Sequence, residues 1–137
     1  MDAGLGARLT ATQVTPAEDP QFWEPLGSDG IARIRYEAGD IVTEDLAQAT
    51  IVELKALTSG KRLPVLVDIR NMKSVTRGAR VIFGNATDAF SALALLAGSP
   101  RTQVIANFFI GLSRPKVPTQ MFTEEEKALT WLRRHTV

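Results

Sequence analysis

The sequence predicts one layered α/β domain, built from a mixed sheet of four to five strands and about four helices. Three observations lead there. The chain has 137 residues, enough for one ordinary core and too few for two large domains. Short aliphatic runs, Val65-Leu66-Val67-Asp68-Ile69 and Ser91 to Ala97, alternate with longer stretches of helical periodicity. The links between them are short and rich in Gly, Pro and Ser, as expected where strands and helices pack in layers.

Residues 1–30 read as an N-terminal arm or short strand covering the core, with residues 31–135 as the single domain. The arm mixes Thr, Pro, Asp and Gly, and Phe22 with Trp23 supply its apolar anchor. Asp29-Gly30 turns the chain into a first strand over about residues 31–37. Thr43 then caps a helix whose first turn holds Glu44 and Asp45, where negative charge suits the exposed amides. Ala47, Ile51, Leu54 and Thr58 recur on one side of it, and Gly60 is its stop. Pro64 introduces the first buried strand, and a polar loop from Arg70 to Val75 leads to a second helix. Ser74 or Thr76 caps that helix, and Ala79, Ile82, Phe83 and Ala86 form its apolar face. After the strand of Ser91 to Ala97, Ser99 caps a third helix with Pro100 at its first position. Val104, Ile105, Phe108, Phe109 and Leu112 give this helix a broad apolar face for core or dimer packing. Gly111 to Pro118 breaks it, and a short strand follows at about Gln120 to Phe122. Thr123 and Glu126 form a capping-box pair for the last helix, which turns Ala128, Leu129 and Leu132 inward. Trp131 either covers the core or meets a second subunit.

Composition removes whole classes of chemistry. There is no cysteine, hence no disulfide, thiolate nucleophile or sulfur-ligated zinc, and the one histidine, His135, stands near the end. No metal ligand set and no cofactor motif is legible: Gly60-Lys61-Arg62 lacks a preceding Gly-rich loop, and Gly78 with Gly84 lacks the GxGxxG spacing. The net charge of +1 argues against a polycationic nucleic-acid binder, and no apolar stretch approaches the roughly 20 residues of a membrane span. No secretory leader is legible at the start, so the cytoplasm is the expected location. The neutral sum hides an asymmetry. Residues 1–45 hold nine acids and three bases, while residues 46–137 hold six acids and thirteen bases. Lys61, Arg62, Arg70, Lys73, Arg77 and Arg80 concentrate positive charge in an interval where Asp68 is the one acid.

This order of elements resembles the SpoIIAA-like fold shared by STAS anti-sigma-factor antagonists and related small proteins. Through Lys55 to Asn71, Ala106 to Leu112 and Ala128 to Leu132, about three quarters of the chain is similar to an uncharacterised actinobacterial family of STAS/SEC14-like proteins. In STAS antagonists the corresponding loop ends in an Asp-Ser-Ser-Gly-like phosphorylation and docking motif at the next helix start. Here the matching stretch is Thr76-Arg77-Gly78-Ala79, without the aspartate or either serine. The resemblance thus implies the scaffold, and argues against phosphoregulated antagonism.

The surface around Asn71, Ser74, Thr76, Arg77 and Arg80, with an apolar patch from an outer helix, is the candidate interaction site. The chain reads as an interaction or regulatory module, expected to form a homodimer and to engage a regulatory protein partner. A small apolar ligand or lipid is the alternative, and it would need a cavity bordered by residues such as Phe83, Phe90, Phe108, Phe109 or Trp131. An enzyme would need a cleft joining Asp68, Ser99 and Arg101. Asp68 itself is expected to engage Arg70, Arg77 or Arg80. No catalytic residue is assigned, because one carboxylate without a positioned acid, base or nucleophile makes no proton-transfer circuit.

Overall fold

Side-chain alternation along the central strands decides where the apolar layers lie. The computed structural model describes residues 26–135; Phe22, Trp23 and most of the expected arm lie outside them. The order is β1 (Ala32–Arg35), β2 (Ile41–Val42), α1 (Glu44–Leu57), β3 (Leu63–Asp68), β4 (Ser74–Val75), α2 (Arg77–Gly84), β5 (Phe90–Leu96) and α3 (Pro100–Phe108). A π-helical turn (Phe109–Ser113) continues α3, and β6 (Thr119–Phe122) and α4 (Glu125–Arg133) follow. The α/β sheet expected from the sequence is present, in the spatial order β1-β3-β5-β6. Its named strands all pair in parallel, and among the described residues antiparallel pairing is limited to the isolated Leu26–Ala32 bridge.

Helices cover both faces of the sheet, as parallel strands with helical crossovers require. On one face Ile34, Val65, Val67, Leu93 and Leu95 meet apolar residues of α1, α2 and α3. On the other, Leu66, Ala92, Ala94 and Leu96 meet Ala128, Leu129 and Leu132 of α4. Successive residues of β3 and β5 therefore feed opposite layers, which is why both strands read as continuous apolar runs. Trp131 packs with Phe122 at the edge of the second layer, ring centroids 5.6 Å apart, and touches His135.

Most helix boundaries follow local chemistry. The Thr43 hydroxyl accepts from the Leu46 amide at 3.3 Å, and Gly60, at φ +79°, ends the turn after α1 in a conformation that a side chain would strain. Inside α1 the Thr50 hydroxyl donates to the Leu46 carbonyl at 2.8 Å, so the Tyr36 hydroxyl, 3.0 Å away, is the donor of the second bond. Ahead of β1, Asp29 accepts from the Ile31 amide and from both terminal nitrogens of Arg33. Burial alone would raise its carboxyl, but Arg33 and that amide bring it below the ordinary carboxylate value.

Two expectations need correction. The interval read as a polar loop contains β4, whose Ser74 pairs with Ile41 of β2, so Ser74 is a strand residue and Thr76 alone caps α2. Two-residue strands carry too little periodicity to be seen in sequence. The Thr123–Glu126 capping box does not form. α4 starts at Glu125 with Glu124 as its extended N-cap and no side-chain cap bond, leaving Thr123 one residue too early. Asp68 pairs with Arg70, as one of its expected partners, and also with Arg35. The broad face of the third helix, expected to serve core or dimer packing, divides: Phe109 is buried and Ile105 half-buried, while Val104, Phe108 and Leu112 are 63%, 53% and 62% exposed.

Candidate functional site

The crossover from β3 to α2 begins at a buried carboxylate. Asp68, the last residue of β3, is 2% exposed and accepts from the Arg70 amide at 3.0 Å, from Arg70 Nε at 2.9 Å and from Arg70 Nη2 at 2.7 Å. Arg35 Nε of β1 stands 3.7 Å from the same carboxylate. Gly98 makes room for the Arg70 stem, since a β-carbon there would lie 3.2 Å from its Cγ. This network spends Asp68 on holding two strand ends and the loop together. The loop then passes Asn71, which is exposed and whose carbonyl accepts from the Gly39 amide at 3.0 Å. It enters β4 at Ser74 and turns into α2 at Thr76, whose hydroxyl accepts from the Ala79 amide at 3.2 Å.

Thr76 is therefore occupied as a cap. Thr76→Ala is expected to cost about 1 kcal/mol of stability, measurable by urea denaturation of the full chain. A loss near zero would show that the hydroxyl is free for another role. Gly78, one turn on, receives the side chain of Glu44, and any β-carbon at that position would collide with it.

From here the exposed face of α2 leads into a cleft. Arg77, Arg80, Val81 and Asn85 of this helix and its cap, with Leu112 and Ser113 of the π turn, line a surface cleft of about 320 Å³. The Arg80 guanidinium lies over the Phe108 ring, its carbon 5.1 Å from the centroid, which joins α2 to α3 across the surface. Arg80 Nε is buried with no hydrogen-bond partner. The Lys116 amide donates to the Gly84 carbonyl at 3.2 Å and anchors the chain after the π turn beside the same cleft. Phe109 follows half-buried Ile105 by four residues and is itself buried, while Leu112 follows exposed Phe108 by four and is 62% exposed, so both faces of α3 continue into the π turn.

The basic interval seen in the sequence does not form one patch. Arg62 donates to the Thr87 carbonyl, Arg70 is held by Asp68, and Arg77 and Arg80 stand apart on α2. Of the predicted surface, the structure brings Thr76, Arg77 and Arg80 together on the first turns of α2, with Ser74 and Asn71 on the approach. Val81, Asn85, Phe108, Leu112 and Ser113 were missed. Sequence periodicity assigns Phe108 and Leu112 to a buried face, and nothing local reveals that α2 and the π turn open a cleft between them.

The weaker polar candidates are held separately. Ser99 exchanges hydrogen bonds with Thr102 in a capping box, its Oγ accepting from the Thr102 amide at 3.2 Å. Arg101 Nη1 donates to the Lys73 carbonyl at 2.5 Å, tying the first turn of α3 to the loop before β4. Asp68 is saturated by arginines, so these three groups serve three different local structures.

An apolar cavity of about 50 Å³ does lie between the sheet and the helices, lined by Tyr36, Met72, Phe83, Leu95, Ile105 and Phe109 among others. An engineered cavity that admits benzene measures about 150 Å³. Of the aromatic residues expected around a ligand, Phe83 and Phe109 border this space, whereas Phe90 is packed in the core and Phe108 faces solvent. Among the described residues no helix is long and apolar enough to cross a membrane, and no cluster of acidic or histidine side chains is arranged for a metal ion.

Two solved structures share this architecture. A domain family described as a domain of unknown function, DUF7793, matches residues 26–136. The fold is similar to that of the anti-sigma factor antagonist SpoIIAA in its unphosphorylated form, with TM-score 0.52 and 14% identity over 79% of this chain and 94% of that one. It is similar also to an uncharacterised DUF3478-family protein with a SpoIIAA-like fold from Shewanella loihica PV-4, with TM-score 0.51 and 14% identity over 74% of this chain and 82% of the other. A protein of unknown function from Arthrobacter sp. FB24 is 42% identical over 78% of this chain and 95% of its own, with TM-score 0.32. No curated protein matches the sequence. The fold is SpoIIAA-like.

Proposed function

The chain belongs to the DUF7793 domain family, and we propose that it acts as a regulatory interaction module, binding a protein partner through the loop before α2 and the exposed face of that helix. One observation carries this reading. Arg77 and Arg80 have no acidic partner among the described residues, and they border exposed Val81, Phe108 and Leu112 across the cleft. Arginines beside desolvatable apolar groups are the common anchors of protein interfaces. The SpoIIAA-like scaffold supports the same direction by analogy of fold.

A two-fold contact centred on α2 would set Arg77 and Arg80 against their own copies, so the surface favours a different protein with acidic groups over the homodimer expected from the sequence. The cytoplasm remains the compartment of this proposal. The apolar-ligand alternative is less well supported, since the cavity would have to enlarge severalfold to hold a lipid chain.

A photocrosslinking residue placed at position 77 of the full chain, expressed in its source cells, tests the reading. A discrete protein adduct is expected at position 77, lost on Arg80→Glu, with none from position 52, an exposed site on α1. Equal adducts from both positions, or none from position 77, would sink it.

A further inference from the structure

The apolar groups around the cleft are shaped as a ridge. Val104, Phe108 and Leu112 stand four residues apart along α3 and the π turn, each more than half exposed. Val81, 47% exposed, faces Leu112 across the cleft. Large apolar side chains that protrude together are unusual on a chain that stays in water.

Their surroundings carry charge of one sign. The sequence contains no acid between Asp68 and Asp88, or between Asp88 and Glu124. Those two intervals supply Arg77 and Arg80 on α2, and Arg114 and Lys116 just after the π turn, where both are exposed. The structure places one acid, Glu44, against α2 at Gly78 on its first turn. Among the described residues Arg77 and Arg80 have no ion pair, and Asn85 and Ser113 add hydrogen-bonding groups to the cleft.

A folded partner would need a groove to receive such a ridge, whereas the interfacial layer of a bilayer deforms around it. Planar guanidinium groups beside it suit phosphate oxygens. We infer that the α2–α3 face docks on an anionic lipid surface, with Val104, Phe108 and Leu112 entering the interfacial layer and Arg77, Arg80, Arg114 and Lys116 meeting headgroup phosphates. This goes beyond the protein-partner reading but shares Arg77 and Arg80 with it, so the two engagements would exclude each other.

Cosedimentation of the full chain with vesicles tests the inference. Binding is expected to phosphatidylcholine vesicles containing about one-third phosphatidylglycerol, and not to phosphatidylcholine alone. Phe108→Ser with Leu112→Ser should weaken it at least about tenfold, since apolar insertion contributes to such binding. Arg77→Glu with Arg80→Glu should weaken it by a similar factor, as should salt near about 1 M. Val52→Ser, on exposed α1, should leave it unchanged. All substituted positions on the ridge are exposed, and an unchanged circular dichroism spectrum confirms the fold of each variant. No binding to the anionic vesicles, or equal binding to both compositions, overturns the inference. So does loss in the arginine variant with full retention in the ridge variant, which would mean charge attraction without docking. Crosslinking at position 77 without vesicle binding would reject the lipid surface and leave the protein-partner reading intact.

Discussion

Asp68→Ala is expected to lower the unfolding free energy by about 3 kcal/mol, the low end of the range for breaking a buried ion pair, because Arg70 is 40% exposed. Asp68 is 2% exposed and accepts three hydrogen bonds from Arg70, one of them from its backbone amide. Arg35, 16% exposed and 3.7 Å from the carboxylate, would lose this ion pair as well. Asp68→Asn retains an acceptor for the Arg70 amide but removes the charge, so its loss should be smaller. Urea denaturation of the full chain at fixed salt orders the two variants. If Asp68→Ala costs less than about 1 kcal/mol, the pair behaves as a solvated surface bridge, and Asp68 is free for another role. The result matters for function because a carboxylate occupied by the Arg70 amide and guanidinium has little capacity left for another ligand.

Phe90→Ala should be at least as damaging, at about 3–5 kcal/mol, through lost transfer free energy and the cavity left behind. Phe90 is 1% exposed, and among the described residues it is one of the largest fully buried side chains. It opens β5, the strand between β3 and β6, in the layer shared with α1 and α2. Arg62 reaches the same residue's carbonyl and the Thr87 carbonyl, so the start of the strand is held by its backbone as well. Phe90→Leu keeps most of the apolar volume and should cost markedly less. A lower urea midpoint with an unchanged slope is the expected signature. A changed slope would show that the variant alters the compactness of the folded or unfolded chain. Phe90→Ala should leave the lipid-facing ridge in place while enough folded protein remains, which separates loss of fold from loss of binding.

Much of the fold is legible because its signals are local. Ala47, Ile51, Leu54 and Thr58 are all buried along α1, as their spacing requires. Ser99 and Pro100 mark the start of α3 because a cap and the amide that donates to it lie three residues apart. The same local reading fails for Thr123, where one extended residue, Glu124, displaces the helix start and breaks the expected box. The candidate surface was half legible. Arg77 and Arg80 stood out as charges in an interval poor in acids, but Phe108 and Leu112 looked like core, because periodicity identifies an apolar face without saying what covers it.

By itself the sequence determined the number and order of the main helices and strands, the caps at Thr43 and Ser99, and the absence of any cysteine chemistry. These depend on residues a few positions apart, where spacing and side-chain type suffice. Only the tertiary structure decided the parallel order β1-β3-β5-β6, the pairing of β2 with β4, and the choice of Arg35 and Arg70 as partners of Asp68. It also decided that Val104, Phe108 and Leu112 face outward. Each of those outcomes rests on contacts between segments far apart in the chain, for which residue spacing gives no local signal.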